Sequence, residues 1–293
     1  MALFAMAAFG AHAQPPLELT AASRQQSLAL HTDYYHDATG TDDAAKAMRH
    51  IADGRFQPLP GGNSSFGFQD GAYWFHAEVV NLDHPEEKWL LTQEYALSDR
   101  IDVYAKYADG RVLHYTGGDH LPFEQRNIRY RHPNFWLTLP QGQPVTLLLR
   151  VQSESSMQVP LHLYTPSAFI EQSRDAQFAI GLYYGILLAL FIYNLVLWLA
   201  LRDAGYFWYL FHITAFGLVL FTLNGLGFEY LWPNSAWLAD HMVPLSICLA
   251  LIGMQQFARV FLELRQRWPF GDRVALVIIA FFVILGVAAT QLP

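Results

Sequence analysis

Five histidines in the first half of the chain, His31, His36, His76, His114 and His132, are the side chains best suited to metal binding or proton transfer. Such chemistry needs fixed spacing, for example two histidines one helical turn apart with a glutamate between them. No His-Glu-x-x-His run occurs, and none of the five stands three or four residues from another on a predicted helix. The sequence therefore predicts no catalytic residue, no metal site and no cofactor. The single cysteine, Cys248, lies in an apolar run and has no internal disulfide partner, so it reads as a small buried or lipid-facing residue.

Alternation of apolar and polar residues carries a different chemistry. One register of the predicted strands collects Trp74, His76, Glu78, Asp102, Tyr104, Asn134, Trp136 and Arg150. Indole rings stack on pyranose faces, while interleaved donors and acceptors give sugar hydroxyls fixed partners. These eight residues are the candidate ligand-binding face. The competing reading is that the tryptophans are covered by the other sheet or by a loop.

The strands that must position this face are short, alternate with period two and are separated by turn residues. The strongest are 73–80, 100–107, 111–115, 134–139 and 145–152. Asp109-Gly110 suits a tight hairpin, because both residues tolerate the positive backbone angles that such a turn requires. Residues 140–144, Pro-Gln-Gly-Gln-Pro, mark another turn. Helical signal in this half is confined to a possible turn at 44–51. Many short strands predict two packed sheets over residues 28–166, preceded by a segment at 14–27. Phe75, Ala77, Val79, Ile101, Val103, Phe135, Leu137, Leu139, Leu147, Leu149 and Val151 then face the core.

The second half is of another kind. Residues 178–201 hold no charge, enough at 1.5 Å per helical residue to cross a hydrocarbon layer about 30 Å thick. Further spans are predicted at 206–227, 242–260 and 274–292, after a short linker at 167–177 that carries no slack beside Pro166. Arg202, Arg259, Arg265, Arg267 and Arg273 flank two of the connections, whereas 228–241 has no Lys or Arg. Cationic loops stay in the cytoplasm, so the β-rich part is expected outside, in the periplasm of an inner-membrane protein. Residues 1–13, an apolar run ending Ala11-His12-Ala13, agree as a signal peptide. No Lys or Arg precedes that run, which places the true start upstream or marks a truncated one. Asn194 and Asn224 are expected to hydrogen-bond between helices, Asn224-Gly225-Leu226-Gly227 to admit a close helix neighbour, and Tyr230, Trp232 and Trp237 to form an interfacial aromatic belt. His212 is left without a role. A net charge of -7, with no basic cluster before Arg126, argues against nucleic acid as a partner.

Several stretches together resemble one family: Tyr73-Trp74-Phe75, Asp99-Arg100-Ile101-Asp102-Val103-Tyr104, Gly118-Asp119 through Pro122 and Arg126, and residues 150–156. Tyr183-Tyr184-Gly185-Ile186 running on to Asn194, Leu201-Arg202-Asp203 and residues 224–233 continue the likeness. The sequence resembles the bacterial seven-transmembrane receptors with diverse intracellular signalling modules, including their type-two extracellular domain. That resemblance implies a jelly-roll-like outer domain similar to carbohydrate-binding modules, seven helices, and a cytoplasmic output such as a diguanylate cyclase or histidine kinase. Four spans, at 178–293, and no output module are present, so the chain is expected to be a fragment. The expected partners are a periplasmic small molecule or glycan, the lipid bilayer, and a second copy or a signalling protein. A non-catalytic membrane-anchored binding protein is the alternative, as is a transporter or channel subunit. The latter is disfavoured by the lack of embedded charged pairs and of broken helices duplicated in two halves.

Overall fold

The computed structural model describes residues 14–291. The expected signal peptide at 1–13 lies outside the described residues, as does Leu292 at the expected end of the fourth span. In chain order the outer half holds β1 (Leu17–Leu19), β2 (Gln25–Ser27), β3 (Thr32–Asp37), helix α1 (Ala44–Ala52), β4 (Gln57–Pro58), β5 (Ser65–Phe68) and β6 (Ala72–Asn81). There follow β7 (Lys88–Gln93), β8 (Arg100–Tyr107), β9 (Val112–Gly117), β10 (Asn134–Thr138), β11 (Pro144–Gln152), β12 (Ser156–Gln158) and β13 (Leu161–Tyr164).

Two sheets carry the core. One runs β4-β3-β6-β11-β8-β9, with β1 joining β6 in parallel; the other runs β10-β7-β13-β2. All the residues assigned inward by alternation lie in a single buried cluster, to which the second sheet adds Trp89, Leu91, Leu161 and Leu163. The β8–β9 hairpin closes at Gly110, whose φ of 86° is the left-handed geometry that a side chain disfavours and whose N–H donates to the Tyr107 carbonyl at 2.9 Å.

Helix α1 corrects the expectation of a mere turn. Asp43 caps it, its carboxylate accepting from the Lys46 N–H at 2.7 Å. Ala44, Ala47, Met48 and Ile51 recur at helical spacing, and they pack with Phe56 on Trp74, Leu148, Tyr35 and Tyr104, on the outside of the larger sheet.

The membrane half contains α2 (Pro166–Leu201), α3 (Ala204–Leu223), α4 (Leu226–Tyr230), α5 (Ala236–Phe261), α6 (Leu264–Arg267) and α7 (Pro269–Ala289). Among the described residues α2, α3, α5 and α7 are long and apolar enough to cross a membrane. The chain divides into two compact units, 1–170 and 171–293, and the division falls inside α2. The expected linker at 167–177 is therefore helix. Pro166 occupies its first position, where the missing N–H costs nothing, and Ala168 and Phe169 are buried with Leu90, Tyr130 and Tyr164 of the outer half.

Helix α3 stops earlier than sequence predicts because Gly225 turns left-handed at φ 75°. The Asn224-Gly225-Leu226-Gly227 run admits a side chain in place of a helix: a Cβ on Gly227 would lie 2.1 Å from Trp232. Trp232 is thereby buried, while Tyr230 and Trp237 are exposed in the manner of a belt. Helix α5 starts six residues before the predicted 242, since Ser235 caps it by accepting from the Leu238 N–H at 3.3 Å. Asn194 and Asn224 donate to the carbonyls of Leu190 and Leu220 four residues before them, and among the described residues neither bridges two helices. His212 does bridge, its Nδ1 lying 2.9 Å from the Ala250 carbonyl of α5. Cys248 is buried beside Gly286 of α7.

Candidate ligand face

Register fixes where each candidate residue sits. Arg150 of β11 lies between Trp74 of β6 and Asp102 of β8, and Leu148 lies between His76 and Tyr104. Glu78 faces Thr146, and Asp102 and Tyr104 meet Thr116 and His114 of β9. Six of the eight, Trp74, His76, Glu78, Asp102, Tyr104 and Arg150, thus share the outer face of the larger sheet.

Asn134 and Trp136 do not join them. Both are on β10, in the other sheet, opposite Thr92 and Leu90 of β7. Alternation separates inward from outward but does not say which sheet a strand belongs to, so two outward faces were merged into one. Asn134 is buried and structural: its Oδ1 accepts from the Ile128 N–H at 2.8 Å, and its Nδ2 donates to the Ile128 and His132 carbonyls at 3.0 Å each. Trp136 packs against the cluster of Leu90, Tyr130 and Tyr164, with the Lys88 ammonium 4.6 Å from its ring centre. On the same loop, burial drives the His132 pKa down to about 3, helped by Arg131 and Arg126, and holds the ring neutral.

The six that remain together are not equally available. Trp74 is 0% exposed beneath α1, and its indole N–H has no hydrogen-bond partner among the described residues. His76 is also buried, edge-on to Phe56, and burial lowers its pKa against the pull of Glu78 and Asp33. Glu78 is exposed at the margin.

Beside α1 the sheet stays open. Tyr104 and His114 stack with ring centres 4.4 Å apart and planes 3° from parallel. Next to them the buried Asp102 carboxylate accepts from Arg100 Nε at 3.0 Å, lies 3.1 Å from His114 Nε2 and 3.8 Å from Arg150 Nη1. Arg150 in turn donates to the Gly40 carbonyl at 2.7 Å and to Gln152 Oε1 at 3.1 Å, so its guanidinium is fixed before any ligand arrives. A cleft of about 150 Å³ adjoins this group, with Ala44, Ala45 and Met48 of α1 on one side and Tyr104, Val112 and Leu148 of the sheet on the other. An aromatic plate, an apolar cleft and charged groups held in place are together suited to a small polar ligand with one apolar face.

Sequence reasoning missed His114 and Arg100 here. His114 lies inside the predicted strand 111–115, in the outward register of β9 with Val112 and Thr116, so carrying the face across the β8–β9 hairpin would have included it. Elsewhere in the outer half, Asp99, Asp119 and His120 bring ligand atoms within 4.8 Å of one another. Asp99 already accepts from Ser153 Oγ at 3.1 Å and the Glu154 N–H at 2.8 Å, which is a turn-holding role.

Comparison with known families decides the class. The model of the family described as 7TMR-DISM extracellular 2 matches residues 29–165, and that described as 7TM diverse intracellular signalling matches residues 176–293. The chain belongs to this family of membrane receptors. Its outer sandwich is the receptor's extracellular sensor module, and its helices belong to the membrane module. No curated protein matches the receptor. Among solved structures, a β-glucuronidase from Ruminococcus gnavus in complex with D-glucuronic acid aligns at 14% identity and a TM-score of 0.28, over 48% of this chain and 29% of that one. Another crystal structure of that β-glucuronidase aligns at 15% identity and a TM-score of 0.29, over 47% and 28%. The receptor chain spans less than a third of these enzymes, and at that TM-score neither fold nor activity carries across.

Proposed function

We propose that this receptor sits in the bacterial inner membrane with its sandwich in the periplasm, and that the sandwich binds a carbohydrate-like ligand beside α1. Tyr104, His114, Asp102 and Arg150 would meet the ligand, with Glu78 at the margin. Trp74 and His76 support the sheet from beneath the helix. The parallel Tyr104–His114 stack next to the fixed Asp102–Arg150 group is the observation that carries this reading. Stacking takes the apolar face of a sugar ring, and pre-oriented charges take its hydroxyls.

Ligand free energy reaches the membrane only if the ligand prefers one conformation over another. Helix α2 supports such a relay, because it begins against the outward side of the smaller sheet, where Ala168 and Phe169 pack with Leu90 and Tyr164, and continues to Leu201 without a break. The signal would pass to a cytoplasmic output of diguanylate cyclase or histidine kinase type, in a second copy or a partner protein. The chain itself would be non-catalytic.

Calorimetric titration of the chain in nanodiscs with a panel of neutral and acidic oligosaccharides tests the site. At least one is expected to bind, and Tyr104→Ala and His114→Ala are each expected to weaken it about tenfold, the scale of one lost stacking contact. Binding that survives both substitutions, or no binding across the panel, would reject the carbohydrate reading.

A further inference from the structure

The connection between α5 and α7 has the makings of a second site. A cavity of about 250 Å³ opens there, lined by Gln256, Arg259, Arg265 and Gln266, with Glu263 and Asp272 among them. The two carboxylates are already matched to arginines. Arg259 Nε donates to Asp272 at 2.8 Å while its Nη1 donates to Gln256, and Arg267 pairs with Glu263 at 2.9 Å. Arg265 is exposed and makes no ion pair among the described residues. From 259 to 273 the chain holds four arginines against two acids, a net charge of +2.

The surroundings of this cavity are apolar and aromatic. Phe261, Trp268 and Phe270 are 69%, 58% and 68% exposed. Trp268 is held in place from behind, since a Cβ on Gly271 would lie 2.3 Å from its ring. Glu263 is bent into the left-handed region at φ 50°, which reverses the chain between the two helices. Aromatic rings and arginines at the ends of spanning helices belong at the depth of lipid headgroups, and there the two nearby carboxylates are in direct ion pairs with Arg259 and Arg267 and not with Arg265.

We infer that this cavity binds a phosphate group, with Arg265 and the Gln256 and Gln266 amides as donors and Arg259 as a fixed positive charge behind them. Guanidinium and amide donors match phosphate oxygens, and exposed Phe261 and Phe270 give acyl chains a surface to lie on. An anionic phospholipid supplies both parts; free phosphate supplies only the first. The site depends on the helix ends lying at a membrane surface and not on which surface, so it stands or falls separately from the sensor reading.

Native mass spectrometry of the chain in detergent, titrated with phosphatidylglycerol or phosphatidylcholine, provides the test. The chain should retain phosphatidylglycerol in preference to phosphatidylcholine, and Arg265→Gln should need about tenfold more of it for equal occupancy. Arg265→Lys, which keeps the charge but loses the fork, should fall between them. Arg111→Gln in the β8–β9 turn should match the unchanged chain. Excess inorganic phosphate distinguishes the sources: failure to displace the lipid identifies a phospholipid site, whereas displacement identifies a site for free phosphate. Should Arg265→Gln not fold, raising the salt concentration on the unchanged chain should release phosphatidylglycerol selectively. Equal retention by the chain and by Arg265→Gln, or retention indifferent to headgroup and salt, overturns the inference.

Discussion

Trp74 and Tyr104 stack on one another, 6.4 Å between ring centres, yet they have opposite roles. Trp74 is wholly enclosed in a cluster with Ala47, Phe56 and Leu148, whereas Tyr104 is half-buried and lines the cleft. Removing a large enclosed ring leaves a cavity that a packed sheet cannot close, so Trp74→Ala should lower unfolding stability by about 3–5 kcal/mol. Tyr104→Ala should cost stability far less and act on ligand binding instead. Urea unfolding of the two variants side by side checks this, and a Trp74→Ala midpoint equal to that of the unchanged chain would show that the indole is not a core residue. The outward register of Trp74 was legible from alternation with Phe75; its covering stood as the competing reading, but the element that covers it was not legible. Nothing within strand β6 tells that an amphipathic turn thirty residues earlier will fold over it, since the covering element is set by tertiary packing and not by strand period. His212 is the reverse case: its role is the position of one carbonyl on another helix, 38 residues away.

At the level of elements, strands with a clean period of two were legible almost to the residue, as β8 at Arg100–Tyr107 shows, because one buried face forces the pattern. Helix ends were less so. Charges and polar groups near Asp240 and Arg174 read as loop, but the backbone there remains helical since a cap or a buried first turn sets the end. The close packing of α3 against α5 depends on a residue with no side chain to advertise it. A Cβ on Gly253 would lie 2.8 Å from the Phe211 ring and 3.0 Å from the His212 backbone, so any larger residue pushes the helices apart and stretches the His212–Ala250 bond. Gly253→Val should therefore destabilise the bundle by about 1–3 kcal/mol through overpacking. Gly181→Val, on α2 where nothing lies within 4 Å of an added Cβ, is the matched control. Thermal unfolding in detergent should show a lower midpoint for the first alone; equal midpoints would mean that α3 and α5 do not approach so closely.

The molecule as a whole joins a sandwich held by an apolar core to helices whose apolar surface faces outward. Among the described residues the most apolar stretch of α2 is not buried at all, a distribution that only lipid or further protein satisfies. Which way such a molecule points is set by charge and not by packing. Arg202 follows α2, and Arg259, Arg265, Arg267 and Arg273 surround the α5–α7 connection, so both connections at one end of the bundle are cationic. The opposite end, residues 228–241, has Glu229 and Asp240 but no Lys or Arg. If cationic connections are held in the cytoplasm, as the proposed orientation requires, the start of α2, and with it the sandwich, would lie on the far side. Alkaline phosphatase, active only after export, should then be inactive when fused after Leu201 and active when fused at Asn234. The reverse pattern would place the Tyr104–His114 cleft in the cytoplasm, out of reach of any envelope glycan.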